Sequence, residues 1–411
     1  MLVLQLLKWC LEVAEVLIAV PTVYLCILVT MVILQTNKPK IECEDQVPTP
    51  ESACINFGIL IPAHNEEVLL GPLLKSLSTM TYPKDLYSVY VIADNCTDST
   101  AQVARTAGGV QVYERFDQAK RSKGHALAWA FQQLKENQSI HDAYVIFDAD
   151  SIIDSKFLQA MADELKQGKE ALQGYYGVLN ATESPSTILR WIALTLMNHM
   201  RPFGRSLLGF STRLTGNGMC LSHDLLEHLP WCTYGHSEDY EYYLVLLQHG
   251  TKVHYVRKAI VHSHMPPTFA DMRTQDIRWE SGLSLKIEQT LSLLRAGFRL
   301  RAFDCFEEII VLLTPPLSFI VGWCILLLAG SLLLWSPPDI VASLILMSGL
   351  VYYVGSAFLL LRPDPAIYKA LLLFAPKFVL WKLWVLLVLK WRKKHNSEWI
   401  RTSRPTSLTR V

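Results

Sequence analysis

From Val13 to Leu34 the chain is an almost unbroken run of apolar residues, and two more such runs, Ile309 to Trp335 and Ile340 to Leu361, lie near its other end. Each is long enough to cross a hydrocarbon core of about 30 Å, so whatever the middle folds into is held between bilayer segments. The second run is interrupted by Pro315-Pro316, and the turn Ser336-Pro337-Pro338-Asp339 separates it from the third. A cleaved leader would be the other explanation of the first run. It has no basic cluster ahead of it, carries Glu12 and Glu15 and shows no small-residue cleavage site, so residues 1–35 read as a retained anchor. Between Ala366 and Trp391, Lys369, Lys377 and Lys382 stand among tryptophans, which suits a helix lying in the interface better than one crossing it. Arg392, Lys393, Lys394, Arg401, Arg404 and Arg410 follow, and such a cluster prefers the cytoplasmic side. One amino-terminal span and two carboxy-terminal ones put this tail and the middle of the chain in the cytoplasm of a multi-pass integral membrane protein.

The remainder of the composition mainly excludes. A formal charge of +1 gives no electrostatic footprint for nucleic acid. Nine cysteines without paired spacing argue against a disulfide framework or a zinc knuckle and for reduced thiols. The spacings Asn95-Cys96-Thr97 and Asn180-Ala181-Thr182 match glycosylation acceptors, but a cytoplasmic domain would not be modified there.

After a polar linker over 36–55, strand-like runs alternate with helical patterns from Asn56 to about Phe303: Phe57 to Pro62, Val89 to Ala93, Val110 to Tyr113, Ala143 to Phe147 and Leu172 to Val178. That alternation predicts an α/β domain over 56–303 built on a mostly parallel sheet with crossover helices. Two transmembrane helices are expected over 304–365, with the interfacial helix and basic tail over 366–411. In such sheets ligands sit beyond the carboxyl ends of the strands. His64-Asn65-Glu66, Asp94-Asn95 and Asp148-Ala149-Asp150 each follow directly on a predicted strand, so one crevice can collect them.

Asp148-Ala149-Asp150 sets two carboxylates one residue apart at a strand end, a form that can hold Mg²⁺ or Mn²⁺ through oxygen while leaving positions for phosphate oxygens. A solvated turn is the plainer alternative. The turns after Pro62 and Ala93 can hydrogen-bond a base and ribose; Asp94 is the better ligand there, since Asp98 reads as an ordinary helix cap. Lys120, Arg121 and Lys123 precede Gly124 and a helical run, where a phosphate would meet cations and helix-start amides. Lys123 is the choice among them, against a merely solvated basic face. Glu238-Asp239 opens an amphipathic run and can supply a general base, or only a cap. Gln275, Arg278 and Trp279 fall within one helical turn, offering a guanidinium for phosphates and an indole for a sugar, although an ordinary amphipathic helix would also explain the indole.

Taken together in this order, Asp148-Ala149-Asp150, Thr215-Gly216-Asn217-Gly218, Ser237-Glu238-Asp239 and Gln275-Asp276-Ile277-Arg278-Trp279 resemble the family 2 glycosyltransferases, in the membrane-bound branch of cellulose, chitin and hyaluronan synthases and ceramide glucosyltransferase. The resemblance spans roughly Phe57 to Gly282. It implies a GT-A fold, a nucleotide-diphosphate sugar donor, usually UDP-linked, and inverting single displacement. By motif position it implies that Glu66 and Asp94 contact the nucleotide, that Asp148 helps to bind it and that Asp150 holds the metal. It further implies that Asp239 is the base beside Glu238, and that Gly216, Asn217 and Gly218 line the acceptor site with Gln275, Arg278 and Trp279 nearby. One departure stands out: many relatives carry a glutamate where this chain has His262-Ser263-His264 before Pro266, so His264 becomes a further metal candidate or a polar surface replacement.

The expectation is transfer of a glucose or N-acetylglucosamine type of sugar to a saccharide in polysaccharide synthesis; the alternative acceptor is a lipid such as diacylglycerol or ceramide. Three spans are few for a self-contained polymer channel, so a processive synthase would need an oligomer or an export partner. A non-catalytic sugar-nucleotide-binding partner would have lost an acidic position, and all are present.

Overall fold

The computed structural model describes residues 2–36, 55–269, 271–272, 275, 287–365, 367–369, 371, 373–374, 376–377, 379–381 and 384. Eight strands make one sheet: β1 (Phe57–Ala63), β2 (Tyr87–Asp94), β3 (Val110–Arg115), β4 (Ala143–Ile146), β5 (Ser151–Ile153), β6 (Ala171–Val178), β7 (Met219–Ser222) and β8 (Val253–Ser263), in the order β3-β2-β1-β4-β7-β6-β8-β5. The expected strands all form. The half from β3 to β4 is parallel throughout, whereas β7 runs antiparallel to both β4 and β6, and β5 runs antiparallel to β8. β1 is central to the parallel half and reads as continuous Ile59-Leu60-Ile61, with all three side chains fully buried. Such runs are what a strand covered on both faces requires.

The covering helices are α2 (Leu70–Ser78), α3 (Thr100–Ala107), α4 (Lys123–Glu136), α5 (Phe157–Leu165), α6 (Pro185–Thr195), α7 (Arg201–Leu207), α8 (His223–His228), α9 (Glu238–Gln248) and, further on, α10 (Ile287–Leu300); α1 (Leu2–Thr36) precedes them all. Leu73, Leu77, Ala104, Phe157 and Met161 pack on one side of the sheet, and Leu127, Leu134, Tyr242, Leu246 and Leu293 on the other. Each such Leu removed from water contributes about 1.5–3 kcal/mol.

Register then positions the site. Ala63 pairs with Ala93 and Leu60 with Ile146, so β1, β2 and β4 end at one edge and deliver the segments beginning at His64, Asp94 and Phe147 side by side.

A third core joins α1 to α6, to a five-residue π turn at Leu196–Met200, and to α12 (Leu317–Leu333) and α13 (Pro337–Leu361). Among the described residues, α1 and α13 are long and apolar enough to cross a membrane. The expected run from Ile309 to Trp335 is instead two helices, α11 (Phe303–Leu313) and α12, bent by 60° at Thr314-Pro315-Pro316, and it counts as a third span only if the bent pair is one. Pro316 lacks the donor a continuous helix needs, and Pro315 pushes Thr314 out of the helical region; Thr314 is extended, with ψ 108°. Most of the expected interfacial helix over 366–391 lies outside the described residues.

Candidate active site

Two asparagines turn the chain at the ends of β1 and β2. Asn65 and Asn95 have φ of 57° and 52°, in the left-handed region that asparagine tolerates better than most residues. The turns then bind one another: His64 Nδ1 lies 2.7 Å from Asp94 O, Thr97 N donates to Asn65 Oδ1 at 2.7 Å, and Glu66 N donates to Thr100 Oγ1 at 2.8 Å. Asp94 is buried, and its Oδ1 accepts from Arg115 Nη1 at 2.6 Å and Asn95 Nδ2 at 2.9 Å. Asp98 serves the turn itself, accepting from Thr100 N at 3.0 Å.

Lys123 opens α4, whose first turn is capped by Ser122 Oγ accepting from His125 N at 3.2 Å. Its ammonium donates to Asp148 Oδ1 and to the carbonyl of Gly216. Gly216 itself has φ 76°, and a Cβ there would lie 3.1 Å from Asp239 Oδ2 and 3.6 Å from Lys123 Nζ. Backbone conformation and the proximity of a carboxylate both call for glycine. Lys123, Asp148, Gly216 and Asp239 therefore meet, although they stand far apart in the chain.

Asn217 sits behind this group. It is fully buried, its Oδ1 accepts from Asp148 N at 3.2 Å, and its Nδ2 donates to Ser151 Oγ at 2.9 Å and Ser263 Oγ at 3.1 Å. By motif position Asn217 and Gly218 were expected at the acceptor site with Gly216. Gly216 and Thr215 line the cavity, but Asn217 spends its amide holding the Asp148 backbone, and Gly218 faces Val261, whose Cγ1 would be 2.8 Å from an added Cβ.

Asp239 lies in the first turn of α9, half-buried, with Glu238 buried beside it. Burial pushes both carboxyls up, and for Glu238 the neighbouring Asp239 charge adds to this while Lys123 opposes it in both. Burial acts to lower the Lys123 pKa, but Asp148, Glu238 and Asp239 outweigh it, so the ammonium is held above its ordinary value. A charged lysine thus faces carboxyls that are protonated more readily than usual.

Asp148 and Asp150 bring hard carboxylate oxygens to the end of β4, and both line the same cavity. Among the described residues no three His, Cys, Asp or Glu side chains form a metal-holding group. His264, expected as a possible third ligand, lines the cavity without completing one. Two carboxylates still fit a Mg²⁺ or Mn²⁺ whose other ligands are phosphate oxygens and water, since Mg²⁺ is commonly held that way.

The cavity measures about 750 Å³ and takes in Glu66, Asp94, Lys123, Asp148, Asp150, Gly216, Glu238, Asp239, His264 and Gln275. Gln275 is buried, and its Oε1 has no hydrogen-bond partner among the described residues. Arg278 and Trp279 lie outside the described residues. The far wall carries no motif in the sequence: Tyr24, Arg201, Arg205, Arg213, Tyr240 and Thr314 also line the cavity. Arg205 Nη2 donates to Glu307 Oε2 at 2.5 Å and Glu308 Oε2 at 2.8 Å, Arg213 Nε to Glu308 Oε1 at 3.1 Å, and Tyr240 Oη to Glu308 Oε1 at 2.9 Å. The acidic pair at the start of a long apolar run was the available signal.

Residues 55–282 match the family described as "Glycosyltransferase like family 2". The "Probable glycosyltransferase YdaM" of Bacillus subtilis is 25% identical over 266 residues, 61% of this chain and 60% of that protein. A "Beta-monoglucosyldiacylglycerol synthase" of Nostoc is 30% identical over 175 residues, 41% of this chain but 36% of that protein, so this chain spans only part of both relatives. Among solved structures, the mannosyltransferase PcManGT of Pyrobaculum calidifontis, in complex with GDP-Man and Mn²⁺, aligns over 95% of this chain and 99% of its own with a TM-score of 0.57 at 17% identity. That likeness concerns the fold.

Proposed function

This chain belongs to glycosyltransferase-like family 2, and from that premise we propose that it inverts the anomeric centre of a nucleotide-diphosphate sugar as it transfers the sugar to an acceptor hydroxyl, with Asp239 as base. The donor is a UDP-linked hexose of the glucose or N-acetylglucosamine type. The observation that carries this reading is the meeting of Lys123, Asp148 and Asp239 around Gly216 in one cavity that also holds Asp94 and Asp150.

Asp94 and Glu66 bind the nucleoside end, and the turns fixed by Asn65 and Asn95 set their positions. A divalent cation held by Asp150 and Asp148 would offset charge gathering on the departing diphosphate. Lys123 adds a point charge on the same side, and Arg278 supplies another through its motif position. Asp239 removes the proton of the attacking hydroxyl. Its raised pKa suits this task, because a base nearer the operating pH binds the proton more firmly as it leaves the acceptor. The catalytic domain works at the cytoplasmic face, tethered by α1 and the carboxy-terminal helices.

The test incubates detergent-purified protein with Mg²⁺ or Mn²⁺, a panel of nucleotide sugars, and saccharide and lipid acceptors, and reads product anomeric configuration by NMR. An α-linked donor is expected to give a β-linked product. Asp239→Asn should cut transfer about 10²–10⁴-fold while leaving donor affinity by calorimetry nearly unchanged. Retention of configuration, or wild-type turnover in Asp239→Asn, refutes the assignment.

A further inference from the structure

Asp304, Glu307 and Glu308 stand three and four residues apart on α11 and so share one face of that helix. All three are buried, and none of them lines the cavity. The groups they hold do line it: Tyr24, Arg205, Arg213 and Tyr240.

Glu308 is the junction. Its Oε1 accepts from Tyr240 Oη at 2.9 Å and from Arg213 Nε at 3.1 Å, with Arg213 Nη2 3.0 Å away, and its Oε2 accepts from Arg205 Nη2 at 2.8 Å and Tyr243 Oη at 3.1 Å. A carboxylate has about four lone-pair sites, so these donors leave it no capacity to accept from a substrate. Glu308 can act on the reaction only through its partners.

Those partners belong to the two segments that frame the proposed chemistry. Tyr240 follows Asp239 in the chain, and together with Tyr243 it fastens the start of α9 to α11. Arg213, and Ser211 whose N donates to Asp304 Oδ1 at 2.6 Å, fasten the stretch that runs on to Gly216, the residue whose carbonyl takes the Lys123 ammonium. Arg213 also lies over the Tyr240 ring, 4.6 Å from its centroid, which joins the two segments directly. A Cβ on Gly216 would be only 3.1 Å from Asp239 Oδ2, so a shift of either segment is felt at the base. Arg205 and Arg213 are matched in charge by Glu307 and Glu308; the network therefore gives Asp239 a position more than a net field.

We propose that Glu308 is a positioning residue for the base, fixing the Asp239 carboxylate against the Gly216 carbonyl and Lys123 through Tyr240 and Arg213. This rests on the reading of Asp239 above and deepens it with a residue outside the 55–282 stretch that matches the family. Tyr24 donates to Glu307, so α1 is tied to the same junction.

Glu308→Gln is the direct variant, but it leaves two guanidiniums facing one carboxylate and can fail to fold. Tyr240→Phe removes one hydroxyl and keeps every charge and the ring beneath Arg213. Both are made in the full chain, in detergent with Mn²⁺. UDP release from UDP-glucose and from UDP-N-acetylglucosamine is followed with the saccharide and lipid acceptors of the panel above and with water alone, and donor Kd is measured by calorimetry. Tyr240→Phe is expected to lower kcat about tenfold with donor Kd unchanged, since a displacement of about 1 Å can cost about 10²-fold, and a folded Glu308→Gln should lower it further. In an Asp239→Asn background Tyr240→Phe should then change little, because residues that act as a unit are not additive. An equal loss in that background overturns the proposal, as does a loss confined to donor affinity. So does a lowered thermal midpoint with undiminished kcat in either variant, which is what a purely structural role gives. Wild-type turnover by Asp239→Asn would instead remove the base, and absence of donor binding by the wild type the sugar-nucleotide reading; each is seen without any change at Tyr240 or Glu308.

Discussion

Replacing Lys123 by methionine keeps most of the stem but deletes the ammonium that stands among Asp148, Glu238 and Asp239. The Gly216 geometry limits the separation. A single point lies 3.1 Å from Asp239 Oδ2 and 3.6 Å from Lys123 Nζ, so the two charges are within about 7 Å. At an effective dielectric of about 20 that is an attraction of about 2.4 kcal/mol. The Lys123 side chain is 23% exposed, so solvent screening discounts the figure to about 1 kcal/mol. The sign follows from which form the cation favours. Lys123 stabilises the carboxylate of Asp239, so its loss raises a pKa already raised by burial, and the base is ionised only at higher pH. The assay is kcat/KM against pH at saturating metal, comparing wild type with Lys123→Met. Its acid limb should lie above the ordinary carboxylate range in wild type and at still higher pH in the variant, with a separate drop in the plateau from weaker diphosphate binding. If the plateau falls but the acid limb stays in place, the lysine does not act on the base.

Asn217→Ala leaves the Asp148 N–H and two buried serine hydroxyls without their amide partner. It should cost about 2–4 kcal/mol, read as a lower thermal midpoint in detergent together with weaker donor binding. Gly124→Ala would place a methyl carbon 2.2 Å from the Thr233 carbonyl oxygen, a backbone atom that cannot step aside alone. A destabilisation of about 1–3 kcal/mol is expected, with a loosened Lys123–Asp148 contact seen as a rise in the donor Kd; unchanged stability would show that α4 can move freely from the 233–234 segment.

The parallel half of the sheet was legible because its strands are covered on both faces and so read as continuous apolar runs, with their polar strings falling at the carboxyl ends. β5, β7 and β8 escaped notice for the opposite reason. β5 has only three residues, β7 follows directly on a turn read as a motif, and β8 carries exposed Arg257 and Lys258 that break the apolar pattern. The antiparallel insertion of β7 and β5, and the placing of β8 parallel to β6, depend on long-range pairing, which periodicity within a segment does not report. At the site, the order of the short motifs along the chain drew attention to Asp148, Asp150 and Asp239, since a single carboxylate at an element end is an ordinary cap or turn residue. The support role of Asn217 was hidden. Its neighbours suggested a substrate-facing loop, and only the partners of its amide distinguish contact with a ligand from contact with Ser151 and Ser263.

Glu307 and Glu308 show where local reading and tertiary physics diverge most. In sequence they stand just beyond the expected domain edge at residue 303, and a charged pair before an apolar run reads as the solvated end of a helix. In the fold their side chains are 5% and 0% exposed and matched to Arg205 and Arg213. A carboxylate taken out of water costs several kcal/mol unless such partners meet it, so these charges can be buried only when α1, α7, α9 and α11 come together at once. The helix bearing Asp239 and the helix bearing Tyr24 are thereby bound to the same ions. Stability of the cavity wall beside α1 and placement of Asp239 are consequently one problem for this chain, and a substitution in either glutamate would disturb both.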